Sequence, residues 1–248
     1  MIIAAAQTVP TRNNINQNLE DHYRLINLAA DYGAKLILFP EMSISGYERE
    51  LAESHAFTEN DLRLDALKEL AKTRNIIIVA GAPLRIDSGL FISAFIFYPD
   101  GREKVYTKQY LHDGEEIYFS PGTDDNLQIN LEDESFSIAI CADITNPAHA
   151  VKAASLNSSV YLASIFYTPN GILEGYKDLQ GYASELSMSV LMSNFGGPSY
   201  EMESAGKSAF WDNSGNLAGS FEGEGEGLLI VRRNEKSWSS EVVKTAGL

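Results

Sequence analysis

Apolar positions in this chain fall into short runs at strand spacing, separated by longer stretches at helical spacing. Residues 2–7 read as a first strand. Ile15, Leu19, Tyr23, Ile26 and Ala30 then follow close to a helical stripe, which predicts a helix over 14–32 that stops at Gly33. Residues 35–40 form a continuous apolar run of strand length, with Glu41 directly after it. A second helix is predicted over 60–74, with Leu62, Leu67, Leu70 and Ala71 turned inward. Strands follow at 76–80 and 91–98, and the turn Pro99-Asp100-Gly101 returns the second of these into a hairpin partner at 102–106. Lys108 stands just past that hairpin, ahead of a polar loop through Gly122.

Strands at 127–131 and 136–140 lead to Cys141. Phe136, Ile138 and Ile140 are apolar at period two, as in a buried strand. Asn146-Pro147 then reads as an N-cap followed by proline at the first position of a helix. Beyond it the pattern gives a strand at 160–166, a helix at 174–189 and a strand at 190–193. The last quarter is rich in strand signals: 208–211, a turn at 212–215, 217–221 and 227–231. The polar tail from about 234 to 248 shows no inward stripe and reads as loose or wrapped on a neighbour. Neither a repeat nor a composition break divides the chain, so one α/β domain over 1–248 is expected.

Composition narrows the functional classes. With 44% hydrophobic and 21% charged residues the chain can bury a sizeable core. The formal charge of −15, without a basic run, disfavours nucleic acid and anionic membrane as partners. No stretch has the length of a membrane span and the first residues lack a signal-peptide pattern, so a cytoplasmic location is expected. A single cysteine forms no internal disulfide, which suits a reducing compartment. His22, His55, His112 and His149 show no ligand spacing, so no metal and no cofactor are expected. Glycines 223, 225 and 227 alternate with glutamates and are followed by no Lys-Ser/Thr pair, so they do not form a phosphate loop.

The chemistry concentrates at three strand ends. Glu41, Lys108 and Cys141 each stand at or just beyond the end of an apolar strand, where sites form in α/β sheets. The three groups complement one another. A thiol needs a base or a cation to attack near neutral pH, a carboxylate in a closed pocket has its pKa raised toward that task, and an ammonium can hold an oxyanion.

Phe39-Pro40-Glu41 with Gly46-Tyr47, Tyr106-Thr107-Lys108, and Cys141-Ala142-Asp143 with Pro147 resemble the three signature blocks of the nitrilase superfamily of carbon–nitrogen hydrolases. Phe119-Ser120-Pro121-Gly122 and Gly206-Lys207-Ser208 with Asp212 and Gly215 extend the resemblance over nearly the whole chain. It implies a four-layer αββα sandwich, often assembled as a homodimer. It also implies a Glu-Lys-Cys triad with Glu41 as general base, Lys108 as oxyanion stabiliser and Cys141 as nucleophile, helped by the Ala142 backbone N–H. Many members carry a further glutamate before the Phe-x-Pro-Gly element. Here that is Glu115, with its neighbour Glu116 as the alternative.

Thr145, Asn146 and Ala148 depart from the commoner pattern after the cysteine, which changes the floor of the pocket and leaves the substrate open. Tyr47, Asn146, Tyr167, Asn170 and Asn194 are the candidate substrate-binding residues. The implied reaction hydrolyses a small linear amide, an ω-amide or an N-carbamoyl compound through a thioester, with water as co-substrate. The alternatives are a nitrilase acting on a small nitrile, or a binding or scaffold relative without catalysis.

Overall fold

The computed structural model describes residues 1–87, 89–123, 127–234 and 237–245. The first half runs β1 (Ile2–Gln7), α1 (Ile15–Asp31), β2 (Leu36–Leu38), a short α2 (Ala52–His55), α3 (Asp65–Thr73), β3 (Ile77–Ile86), β4 (Gly89–Phe97) and β5 (Glu103–Thr107). The second runs β6 (Gln128–Leu131), β7 (Glu134–Ile140), α4 (Pro147–Ser155), β8 (Val160–Ser164), α5 (Ile172–Glu185), β9 (Ser189–Ser193), β10 (Ala209–Trp211), β11 (Leu217–Ser220), β12 (Gly227–Arg233) and β13 (Trp238–Lys244).

Among the described residues these strands form a seven-stranded sheet in the order β13-β12-β1-β2-β3-β4-β5 and a six-stranded sheet in the order β11-β10-β9-β8-β7-β6. The centre of each sheet is parallel, β1-β2-β3 in one and β7-β8-β9 in the other. Strands covered on both faces read as continuous apolar runs rather than alternating ones, and strand alternation sorts their side chains into layers. Ile3, Ala5, Leu36, Leu38 and Val79 meet Phe136, Ile138, Val160 and Leu162 between the sheets. Ala4, Ala6, Ile37 and Ile78 face outward onto Leu19, Leu25 and Ile26 of α1 and Leu67 and Ala71 of α3. Ala139, Tyr161, Ala163 and Val190 face outward onto Ala150 and Ala153 of α4 and Leu179 and Ala183 of α5. The result is a four-layer αββα sandwich. Hydroxyls tie its halves together: Ser164 donates to the Phe39 carbonyl at 2.9 Å and Ser193 to the Ala6 carbonyl at 2.6 Å.

Three readings of the sequence need correction. β3 does not stop at Ala80 but continues through Gly81 and Pro83 to Ile86, paired with β4. Past Val79 its other edge is no longer bonded to β2, so the missing Pro83 N–H breaks no ladder there; the Pro83 carbonyl accepts from Phe57 instead. Leu62 is 81% exposed, and Leu64 is buried in its place. The segment opens as a tight 3₁₀ turn capped by the Asp61 carboxylate, which shifts the phase of the inward positions before α3 begins. The tail is not loose over 238–244: it forms β13, antiparallel to β12 at the edge of the first sheet. Of the expected tail, residues 235, 236 and 246–248 lie outside the described residues.

Candidate active site

β4 lies antiparallel to both β3 and β5, so β5 runs in the same direction as β2 and β3. The carboxyl ends of β2 and β5 therefore open on one side of the first sheet. The carboxyl end of β7 reaches the same place from the second.

Glu41 leaves β2 through a turn in which Met42 takes a left-handed conformation, with φ at 51°. The turn packs directly on β3, where Ile44 N–H donates to the Gly81 carbonyl at 2.9 Å. A Cβ at residue 81 would stand 2.4 Å from Met42 N and 2.8 Å from the Pro40 carbonyl oxygen, so only glycine allows this approach. His22 supports the turn from α1. Its Nδ1–H donates to the Asn18 carbonyl at 2.6 Å, which leaves Nε2 to accept the Ser43 hydroxyl at 2.9 Å. Ser43 Oγ in turn accepts the Gly81 N–H at 3.3 Å.

Lys108 continues the pairing of β5, its N–H bonded to the Ile92 carbonyl at 2.9 Å. Its own carbonyl accepts from Gly122 N–H at 2.7 Å, and a Cβ at Gly122 would lie 2.3 Å from Thr107 Oγ1. The Phe119-to-Gly122 segment thus clamps the backbone that carries the lysine.

The Lys108 ammonium donates to Glu41 Oε1 at 2.7 Å and to both Glu115 oxygens at 2.8 Å, and all three side chains are fully buried. Glu115 also accepts the Tyr47 hydroxyl at 2.6 Å and the His112 N–H at 2.8 Å. Its neighbour Glu116 points outward and is exposed. The unresolved choice between the two glutamates is therefore one-sided in geometry: Glu115 alone meets the lysine.

Cys141 ends β7 with φ at 42° and opens a 3₁₀ turn that runs to Thr145. Cys141 is half-buried as a residue, and its thiol lies 3.9 Å from the Phe166 carbonyl oxygen. The first N–H groups of such a turn lack partners within it. Asn146 then caps α4 by accepting Ala148 N–H at 3.1 Å, with Pro147 in the first turn.

Charge fixes the protonation states. Burial pushes the Glu41 carboxyl up to about 7, partly opposed by the Lys108 ammonium and reinforced by Glu115. Glu41 Oε2 is buried with no hydrogen-bond partner among the described residues, and its interaction with the Cys141 thiol lowers its pKa. Burial would lower the Lys108 ammonium, but Glu41, Cys141 and Glu115 more than offset it and hold the pKa above the ordinary lysine value. Burial, then the Glu41 charge, raises the Cys141 thiol well above its usual range, against the pull of Lys108. At neutral pH the resting site thus holds a thiol, an ammonium and a carboxyl near its midpoint.

A cavity of about 470 Å³ opens onto Glu41 and Cys141, with Lys108 behind them and outside its lining. Tyr47 and Tyr167 line it, as do Cys141 and Glu41, whereas Asn146, Asn170 and Asn194 do not. Asn146 is the helix cap, and Asn170 is exposed. Asn194 is buried and spent on backbone: it accepts Tyr167 N–H at 2.9 Å and donates to the carbonyls of Tyr167 and Gly206 at 3.2 and 2.7 Å. It supports the Tyr167 wall from behind.

Sequence reading did not single out Arg49, Glu174, Asp178 and Met202, which also line the cavity together with Phe166. Part of the signal was there: Gly171, Glu174, Gly175 and Asp178 repeat at helical spacing, a polar stripe that resembles an ordinary solvent face. Among the described residues no group of three or more His, Cys, Asp and Glu side chains is placed to hold a metal ion.

A model of the carbon–nitrogen hydrolase family matches residues 2–240. The chain belongs to the carbon–nitrogen hydrolase family. Among relatives of this chain, the glutamine-dependent NAD(+) synthetase of Thermotoga maritima is 25% identical over 227 residues, spanning 87% of this chain and 39% of that protein. Nitrilase homolog 2 of Dictyostelium discoideum is 30% identical over 152 residues, 56% of this chain and 46% of the other. The chain thus spans less than half the length of these relatives. The amidase of Nesterenkonia sp. AN1 shares the fold with a TM-score of 0.85 at 24% identity, over 95% of this chain and 93% of that one. A variant of that amidase solved with butyramide gives 0.84 at 23% identity, over 93% and 89%. No helix among the described residues is long and apolar enough to cross a membrane.

Proposed function

We propose that this carbon–nitrogen hydrolase cleaves the amide bond of a small linear amide, ω-amide or N-carbamoyl compound through a thioester on Cys141. The observation that carries the reading is the division of labour at Glu41: one oxygen is held by Lys108, the other is buried without a hydrogen-bond partner among the described residues, and the Cys141 thiol interacts with the same carboxyl.

In the reaction, Glu41 takes the Cys141 proton as sulfur attacks the carbonyl carbon. The high thiol pKa means that this transfer accompanies attack rather than preceding it. Lys108 and the Ala142 N–H hold the oxyanion. Collapse breaks the C–N bond, Glu41 returns its proton to the departing nitrogen, and ammonia or an amine leaves. Water, deprotonated by the same carboxylate, then attacks the thioester; the acid leaves and the thiol is restored. Glu115 keeps the ammonium in place by taking the side of Lys108 opposite Glu41.

The apolar part of the cavity wall, built from Tyr47, Phe166, Tyr167 and Met202, suits a short acyl chain. The butyramide bound to the Nesterenkonia amidase variant is a ligand of that kind. Homodimeric assembly and a cytoplasmic location belong to this reading too, and light scattering of the purified chain tests the first. Ammonia release across amides, carbamoyl compounds and nitriles tests the activity. Turnover of amides but not nitriles is the expected outcome, and turnover of nitriles alone would replace this reading with a nitrilase.

A further inference from the structure

Asp143 lies two residues past Cys141, fully buried, and takes no part in the chemistry proposed above. Its carboxylate is saturated. One oxygen accepts the backbone N–H groups of Gln109 and Tyr110, each at 2.9 Å. The other accepts Ile140 N–H at 2.9 Å and the Tyr106 hydroxyl at 2.7 Å. A single side chain on the turn after β7 therefore grips residues on both sides of Lys108, together with the residue before Cys141.

The Tyr106 hydroxyl has given its one proton to Asp143, so it accepts from His149 Nε2–H at 2.8 Å. His149 Nδ1 then accepts the Tyr161 hydroxyl at 2.7 Å. Strand β8 and helix α4 thereby fix the same hydroxyl from the second sheet. The chain of bonds joins the two halves of the sandwich at the point where the ammonium and the thiol must meet.

Cys141 itself needs holding. A non-glycine residue at positive φ costs about 1–3 kcal/mol and persists only where its surroundings over-determine it. The bond from Ile140 N–H to the Asp143 carboxylate closes a loop around Cys141 and supplies that constraint.

We infer that Asp143 is a positioning residue: it sets Lys108 against Cys141 and holds the cysteine turn so that Ala142 N–H meets the oxyanion. The inference rests on the amide hydrolysis proposed above. Charge, rather than size, is what the site requires. An asparagine of the same shape has a single oxygen, and its NH₂ would face two donors from 2.7–2.9 Å.

The test uses the full chain carrying Asp143→Asn and, separately, Tyr106→Phe. Steady-state kinetics are measured on the amide that the unmodified chain turns over best. Cys141 alkylation is followed by intact mass with iodoacetamide, whose carbonyl uses the oxyanion donors, and with methyl methanethiosulfonate, which has no carbonyl. Asp143→Asn is expected to lower kcat about 10²-fold, the scale of a lost oxyanion donor, with KM changed less than about threefold. Iodoacetamide should slow with kcat, and the thiosulfonate much less. Tyr106→Phe deletes only the hydroxyl and should lower kcat about tenfold in the same pattern, which carries the test if Asp143→Asn does not fold. Wild-type kcat in every variant that folds, or equal slowing of the two reagents, would overturn the inference. If the unmodified chain hydrolyses no amide while its Cys141 still prefers iodoacetamide, the amidase reading fails; loss of that preference in the variants would then support the positioning role by itself.

Discussion

Lys108 and Glu41 form a fully buried ion pair, Nζ to Oε1 at 2.7 Å, and Glu115 grips the same ammonium from its other side. Burial raises the Glu41 carboxyl, the Lys108 ammonium opposes that rise, and the Glu115 charge adds to it. The residue proposed as base is tuned by the residue proposed to hold the oxyanion. Breaking such a pair from one side leaves an uncompensated buried charge, which typically costs about 3–5 kcal/mol. Lys108→Met should therefore abolish amide turnover and lower the melting temperature by roughly 10 °C in a thermal scan. A variant that melts like the parent would show that the pair carries no such weight.

The pH profile of acylation follows from Glu41. Its pKa is raised to about 7 by burial, and the carboxylate form is the one that accepts the thiol proton. The rate should thus fall tenfold per pH unit well below 7 and level off above it. Stopped-flow acylation from pH 5 to 9 measures this; a rate that does not fall below pH 7 would remove a raised Glu41 carboxyl from the role of base.

Glu115 and Glu116 are adjacent in sequence and opposite in environment. Glu115→Gln removes the charged acceptor of Lys108 and should lower kcat by about 10² or more. Glu116→Gln should leave both activity and stability within error, as exposed substitutions usually do. Equal effects from the two would contradict the assignment.

Gly81 admits the Glu41 turn against β3. A Cβ 2.4 Å from Met42 N meets backbone that cannot swing aside, so Gly81→Ala should cost about 3 kcal/mol and displace Glu41. Chemical denaturation with parallel turnover assays checks it. Unchanged stability together with unchanged kcat would show that the turn yields freely.

His22 links folding to acid. Burial lowers its pKa to about 4 from an ordinary 6.5, so the unfolded chain binds a proton more readily than the fold does. Stability is therefore lost as pH falls from about 6.5 toward 4, by roughly 3 kcal/mol in all. Replacing His22 with asparagine should flatten that part of the stability–pH curve; an identical slope in the variant would exclude His22 as its source.

Much of this was legible in the sequence, for identifiable reasons. The buried parallel strands announce themselves as apolar runs, and Glu41 and Cys141 follow two of them closely, whereas Lys108 follows β5, an antiparallel edge strand marked by the turn before it. β13 was not legible, because an edge strand open to solvent carries no inward stripe: Trp238 and Val243 are only partly buried and Val242 is exposed. Leu62 misled because a capped 3₁₀ turn resets the helical phase. Asn194 sat at the expected strand end, but buried backbone at Tyr167 and Gly206 consumed its polar atoms. Arg49 was invisible because its guanidinium packs over the ring of Tyr200, a contact between distant segments.

The covalent step is the centre of the account, and rapid-quench intact-mass spectrometry of the chain during turnover of an amide observes it directly. One acyl group added to the parent, located at Cys141 and absent from Cys141→Ala along with all ammonia release, is the predicted result. Ammonia release that survives in Cys141→Ala would contradict it.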